Sequence, residues 1–580
     1  MARVIPPVFN NQLLRLNIKT FLQEPVIIQY SCEPNAVGIA IRGDSLDTYR
    51  VYCTNEHGAL DWEKSYSSAD EALAFARKFF VCYEKYLYDT DDKATEKEPD
   101  NEKVISTIFL KPTRKSSGKK IPHRQKQKYF SQRRANFQYH QPSQSNQCRV
   151  IGGNRLQGEI CIGGSASASL AILAGTLLTS DVCRIENIAN VMSVRSFLNA
   201  LTHIGASIQF VGETAVAIDC SNIDINSVSN KLPSDVWELY YLLGTFLGRF
   251  GQIELFMPYT AGYQDRTLEQ HIKGFTAMGA EMEVRNGRIY AYVPKGGRLS
   301  GASIYLDAPS VEATINIMLA ATLAQGKTTI ANAAKEPYIT NLAIFLNNIG
   351  ANISGAGTDV IKIQGVEKLR GGTYSVIPDP IEAGTYMTAV AAAGGSILLQ
   401  NVIPEHLKGI SVKLREMGVK ITELDSSILV ESNAKLRSTT VKTMPYPGFP
   451  VELCPQIAVC MVSASGVSII STNEINRSRH HDSYIDQLMR LGACIQMDEQ
   501  HIAIEGIKKL RGCSVHAYTP QSGAAMVVAG LAAEGTTTVT GINYINYEFS
   551  NMVEKLVKVG ADIKPNDDGN TSQKVNIKIG

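Results

Sequence analysis

The chain has 580 residues and a formal net charge of +2, a length that favours several core-sized units over one domain. Apolar residues make up 44% and charged residues 19%, which supplies buried cores and excludes a chain disordered throughout. The 46 glycines follow no Gly-X-Y period, so a collagen is excluded, and no run of 18 apolar residues suggests a membrane span. The 11 cysteines are scattered without a Cys-x-x-Cys pair. That argues against a zinc ribbon or a dithiol redox motif and fits reduced thiols in the cytoplasm. The first residues lack a signal peptide's apolar stretch.

Residues 1–88 read as a small α+β unit. Strands are expected at 37–41 and 49–54, followed by a helix over 72–86. Ser68 and Glu71 form a capping-box pattern before that helix. No chemistry is evident here, and a small docking or dimerisation module, engaging a protein partner, is the expected role. Residues 89–147 read as a charged linker. From Lys103 to Gln147 there are 11 Lys or Arg and no Asp or Glu. Setting these aside leaves 46 basic against 55 acidic residues in the rest of the chain. Such a tract serves as a solvated tether, or binds nucleic acid or another anionic surface through its cations and the interleaved Tyr129, Phe130, Phe137 and Tyr139. In the second case log affinity should fall steeply with log salt for the full chain and be lost on deleting 103–147.

From 149 onward one phrase recurs six times: an amphipathic helix, Gly-Ala or Gly-Val, then a strand. Its glycines are Gly205, Gly279, Gly350, Gly418, Gly492 and Gly560, spaced by 74, 71, 68, 74 and 68 residues. Glycine there lets the chain leave a helix through the left-handed conformation. Between the copies lie Ala- and Gly-rich stretches such as 381–395 and 523–535, apolar nearly all round and so expected to be buried helices. The pattern predicts six α/β units of about 70 residues, three to a lobe, with a ligand cleft between two lobes.

Several phrases carry a likeness: Leu156-Gln157-Gly158-Glu159, Asn332-Ala333-Ala334-Lys335-Glu336-Pro337, Ile353-Ser354-Gly355-Ala356-Gly357-Thr358-Asp359 and Pro447-Gly448-Phe449-Pro450. On these the chain from Cys148 onward resembles the enolpyruvyl transferase family, closest to its branch acting on UDP-N-acetylglucosamine. The resemblance implies an inside-out α/β barrel pair. It places the first lobe at 166–357, and the second at 149–165 plus 358–580. It implies transfer of the enolpyruvyl group of phosphoenolpyruvate to a sugar hydroxyl, with no cofactor or metal; His480-His481 would make only an incomplete metal site.

That chemistry needs cations around a trianionic donor, a carboxylate to take the hydroxyl proton and an acid for the vinyl carbon. Among matched positions, Glu452 stands where the family has an Asp beside the reacting hydroxyl. Asp379 matches a second cleft carboxylate, and these two are the candidate catalytic residues. Arg266 and Arg477 match cleft arginines, and Ser310-Val311 part of the nucleotide-binding turn. Glu336 and Asp359 match positions near substrate and the lobe junction. The amides of Gly163, Gly164 and Ser165 read as an anion nest at a helix N-terminus.

Other family positions are lost. The Lys-Asn pair is Ala166-Ser167, the loop acid is Ala261, and an arginine gripping substrate is Trp237. The glycine beside the diphosphate is Glu312, and the arginine over the phosphoenolpyruvate carboxylate is Gln521. Losing one such group typically costs ~10²–10⁴ in rate. Tyr259 and Tyr263 are acids too weak to replace the lost one easily. The sequence therefore predicts a binding or regulatory relative that has lost the standard reaction, with a nucleotide sugar or other small anion in the cleft. A transferase with a different donor or acceptor, and a nucleic-acid-associated protein, are the alternatives.

Overall fold

The computed structural model describes residues 146–565, except 226–231, 233–236, 257–263, 286, 295–296, 473–483 and 499. It gives the backbone alone for Trp237, for 264–267 and for 565, and the strands of an N-terminal sheet. That sheet is antiparallel and four-stranded, formed in order by Val26–Cys32, Val37–Ser45, Thr48–Thr54 and Leu60–Tyr66. Both strands expected from the sequence fall within it; the expected helix over 72–86 and most of the 89–147 linker lie outside the described residues. Residues 1–138 and 139–580 are separate compact units.

In the larger unit the dominant local pattern is a mixed sheet backed by a buried helix. Lys327–Ala331 runs parallel to Ser303–Tyr305 and antiparallel to Val360–Gln364, which pairs with Asn352–Ser354. The same order of one parallel and two antiparallel pairings recurs around Cys183–Glu186, Gly395–Gln400, Val467–Ser471 and Thr536–Thr540. A three-stranded sheet is built on Arg288–Tyr292. Alternation of buried and exposed residues along these strands, as in Lys327–Ala331, leaves one face for the helices.

The six recurring glycines have φ between +91° and +112°. After each, the next residue's amide donates to a carbonyl five residues back, for example Ala206 to Leu201 and Val419 to Leu414. This satisfies the orphan carbonyls of the helix end and aims the chain into a strand. The small-residue helices are buried as expected: Glu382 to Ala392 within Pro380–Ala393, and Ser522 to Leu531 within Pro520–Ala532. Among the described residues no helix is long and apolar enough to cross a membrane.

Two hydrophobic cores result. One gathers residues from Ala166 to Val376; the other joins Cys148 to Ile162 with Ala383 to Ile563. The first core thus extends past the boundary at 357. Val360–Gln364 pairs with Lys327–Ala331, so Ile361 and Ile363 point into that core, and Thr373–Ser375 lies beside Cys183–Glu186. The strand starting the second core begins at Gln147, one residue inside the expected linker. The chain passes between the cores at 162–166 and again at 377–382, and the two crossings pair with each other. Ser165 N donates to Ile377 O at 2.9 Å, and Asp379 N to Gly163 O at 2.9 Å. A Cβ on Gly164 would meet Asn187 O at 1.7 Å, so only glycine fits this crossing without moving the backbone.

Candidate functional site

Asp379 sits at the paired crossing and caps two helices at once. Its Oδ1 accepts from the amides of Ile381 (2.7 Å) and Glu382 (3.1 Å) at the start of Pro380–Ala393. Its Oδ2 accepts from Ala166 N (3.4 Å) at the start of Ala166–Thr176. Burial nevertheless dominates and pushes its carboxyl up to about 6, with Glu382 adding to the rise and the amides opposing it. Glu382, 5% exposed, accepts from Lys555 Nζ at 2.6 Å, Gly163 N at 2.9 Å and the Tyr386 hydroxyl at 3.3 Å.

The nest expected at Gly163 to Ser165 is therefore engaged internally. Gly163 N serves Glu382, Ser165 N serves Ile377 O, and Ala166 N serves Asp379. Two of these acceptors are the protein's own carboxylates, Glu382 and Asp379. Ala166 is buried and Ser167 half-buried on the first helical turn. The Ser165 side chain caps the same helix by accepting from Ala168 N.

Glu452 lies in the short 3-10 turn Val451–Leu453. Burial is the main cause of its raised pKa, and Glu336, Glu312 and Asp379 add to it. Glu336 comes from the first core, just before Pro337–Asn348. Burial raises it too, opposed in part by nearby backbone amides that include Tyr446 of the second core, and its Oε2 has no hydrogen-bond partner. The buried phenol of Tyr338 is held well above its usual range by burial and by Glu452 and Glu336. Ser310 caps Val311–Thr322, accepting from Ala313 N at 3.3 Å and facing Glu312 Oε2 at 3.4 Å. Val311 opens that helix, and Glu312 occupies its first turn, where a carboxylate suits the helix dipole. Asp359 is exposed on the turn before Val360–Gln364, with its carbonyl accepting from Ala333 N.

Gln521, at the start of Pro520–Ala532, donates its side-chain amide to Glu548 Oε2 at 2.5 Å. Glu548 is pushed up to about 7 by burial and then by Asp379, Glu452 and Glu238. Glu238, fully buried in the turn Trp237–Tyr241, is also pushed up to about 7, mainly by burial. Tyr547 lies close enough to oppose that rise, yet neither Glu238 oxygen has a hydrogen-bond partner of full geometry.

Glu452 thus feels Glu336, Glu312 and Asp379, and Glu548 feels Asp379, Glu452 and Glu238. Sequence reasoning missed Glu238 and Glu548. Glu238 had one signal, a lone charge inside the apolar run from Val236 to Phe246; Glu548 had none, because its partners lie far away in the chain. Trp237 lies in the turn at 237–241 and Arg266 in the helix Gln264–Ala277, both described by backbone alone. Ala261, Arg477, His480 and His481 lie outside the described residues.

Two α/β cores joined by a paired crossing, with carboxylates gathered between them, form the architecture of a two-lobed carboxyvinyl-transferase fold. Solved structures share it: the enolpyruvyl transferase NikO from Streptomyces tendae has a TM-score of 0.64 at 22% identity, covering 72% of this chain and 98% of that one. EPSP synthase from Acinetobacter baumannii has a TM-score of 0.59 at 18% identity, covering 72% and 99%. The sequence model of the EPSP synthase (3-phosphoshikimate 1-carboxyvinyltransferase) family matches residues 150–556. UDP-N-acetylglucosamine 1-carboxyvinyltransferase of Clostridium botulinum is 42% identical over 416 residues, 72% of this chain and 98% of that protein. A Geobacillus kaustophilus enzyme of the same name, numbered 2, is 41% identical over 415 residues, 72% of this chain and 95% of that protein. The chain belongs to the EPSP synthase family of enolpyruvyl transferases, and its likeness to the UDP-N-acetylglucosamine enzymes covers nearly their whole length.

Proposed function

We propose that this chain is a ligand-binding or regulatory member of the family that has lost standard enolpyruvyl transfer. The observation supporting this most is the Gln521–Glu548 pair. Where the resemblance puts an arginine over the carboxylate of phosphoenolpyruvate, a neutral amide donates to a further carboxyl. Burial and three neighbouring acids, Asp379, Glu452 and Glu238, act on that carboxyl. Like charges 4 Å apart repel by about 4 kcal/mol at an effective dielectric of 20, so each ionised acid here opposes a trianionic donor. The filled amides at Gly163 and Ala166 act in the same direction.

The relatives' names make UDP-N-acetylglucosamine the nucleotide sugar to offer first. The proposal also takes the similar sheets as copies of one repeated unit, six in all and three to a lobe; their recurring strand order supports that reading. Residues 1–88 and 103–147 enter only as partner-binding segments, the second for an anionic partner. Incubating the full chain with phosphoenolpyruvate and UDP-N-acetylglucosamine should release no inorganic phosphate above the blank. Release that disappears in Glu452→Ala would overturn the proposal. A transferase with a less negatively charged donor is the second reading, favoured by the survival of Glu452 and Asp379 in the matched positions.

A further inference from the structure

The buried helices of the second core end together. Cys454–Val462 runs in the same direction as Pro380–Ala393: Gln456 Nε2 donates to Thr385 Oγ1, and Cys460 Sγ to Thr388 O about one turn on. Three turns then tie the helix ends into a ring. Gly153 N donates to Leu531 O at the end of Pro520–Ala532, and Leu156 N to Gly394 O just after Pro380–Ala393. Ser432 Oγ donates to Ala391 O on that same helix, and Leu436 pairs with Ala464 after Cys454–Val462. Ile507 N donates to Val462 O, and Glu534 N to Leu510 O closes the ring beside Pro520–Ala532. Leu156, Leu436 and Leu510 anchor the three turns by burial. Their neighbours Arg155, Lys435, Arg437, Lys508, Lys509 and Arg511 are all exposed.

Outer helices add charge at the same end. Arg437 N donates to Met417 O, Arg511 N to Leu491 O and Gln157 N to Val559 O, so each turn adjoins the end of an outer helix. Those helices finish on Lys413 and Arg415, on Arg490, and on Lys558. Cations there complement the helix dipole, but that need is common to both cores. The matching helices of the first core, Met192–His203, Gln264–Ala277 and Pro337–Asn348, have no Lys or Arg in the last turn. In the first core the Arg298 guanidinium is spent on Leu323 O and Val366 O. Around the ring, Glu416, Glu423 and Glu534 pair with Lys413, Arg415 and Lys509. Glu505, leading into 506–512, accepts from Cys494 Sγ and offsets one further charge. Positive charge remains in excess.

We propose that this end of the second core is a docking face for an anionic bilayer surface, resting on the headgroups without spanning the membrane. The claim goes beyond the reading above and does not depend on it. Charge complementarity carries it: outside 103–147 the chain holds 46 basic against 55 acidic residues, yet this face is basic. Met489 and Val557 are exposed beside Arg490 and Lys558, and such aliphatic side chains settle among headgroups. The three turns contain no aromatic residue, whereas single-stranded nucleic acid is held on stacking rings. Each Lys or Arg close to an anionic leaflet strengthens binding by about fivefold.

The test sediments the full chain with phosphatidylcholine vesicles carrying about 30% phosphatidylglycerol, and with phosphatidylcholine alone. Binding to the anionic vesicles is expected, and it should weaken steeply as salt rises. The triple variant Arg437→Glu, Lys508→Glu, Arg511→Glu should bind about tenfold or more weakly. The matching variant of exposed first-core residues, Lys327→Glu, Lys362→Glu, Arg370→Glu, should stay within about twofold of wild type. Both variants keep the 103–147 tract, so the difference between them belongs to the ring. Thermal melts confirm that each is folded, and the salt series needs no variant. No binding to anionic vesicles, equal binding to neutral ones, or equal loss in the two variants overturns the inference. So does a ring variant that keeps vesicle binding and loses binding to a short DNA duplex, which would assign the face to nucleic acid.

Discussion

Replacing Lys555 with methionine should destabilise the protein by about 3–5 kcal/mol, the typical cost of removing one partner from a buried ion pair. The pair is well enclosed, with side chains 20% and 5% exposed for Lys555 and Glu382. Without the ammonium group, Glu382 keeps two neutral donors, Gly163 N and the Tyr386 hydroxyl. Two neutral hydrogen bonds do not offset the desolvation of a full charge. The double variant Lys555→Met with Glu382→Gln should regain more than half of the loss, because it removes the stranded charge as well. Urea denaturation at pH 7 checks both, provided the slope is unchanged so that midpoints report stability. A single variant within about 1 kcal/mol of wild type would mean the pair behaves as a surface bridge.

The second large effect is on pH dependence. Glu238 and Glu548 have folded pKa values raised from 4.5 to about 7, and Asp379 from 3.8 to about 6. Between roughly pH 4 and 7 the native state therefore binds more protons than the unfolded chain, and these groups' stabilising contribution declines as pH rises through that window. Moving from 4.5 to about 7 corresponds to about 3 kcal/mol for one isolated group; the coupled acids contribute less than the sum. Glu238→Gln cannot ionise, so its stability relative to wild type should improve by about 2–3 kcal/mol between pH 5 and pH 8. Denaturation curves of the two proteins at both pH values give that difference directly. Parallel pH profiles would show that Glu238 ionises in the folded protein near its unfolded pKa, and so is already charged at pH 5.

What the sequence disclosed and what it concealed divide along chain distance. The glycines at 205, 279, 350, 418, 492 and 560 were legible because a helix end needs its left-handed residue a fixed few positions after its last turn. The buried helices were legible from composition alone. Ser310 could be read as belonging to a turn, and its capping role is settled within three residues. The charge pattern of the cleft was half legible: missing cations show at Ala166 and Gln521, whereas the acids that face those positions do not. Gln521 meets Glu548 across 27 residues, and Glu382 meets Lys555 across 173. No local periodicity encodes such pairs. The Gly163 amide's partner was illegible for the same reason: Glu382 lies 219 residues downstream.

The second core also has a biosynthetic consequence. Its opening strand, Gln147–Ile151, pairs with Thr536–Thr540, made roughly 390 residues later. At 5–20 residues per second a ribosome needs about 20–80 s to deliver that partner. Over much of this interval the region 166–376 can finish collapsing by itself, while Leu156–Cys161 waits for Gly395–Gln400 with an unpaired edge. The nascent chain thus carries strands still waiting for partners through most of its translation, a natural target for a chaperone at the exit tunnel.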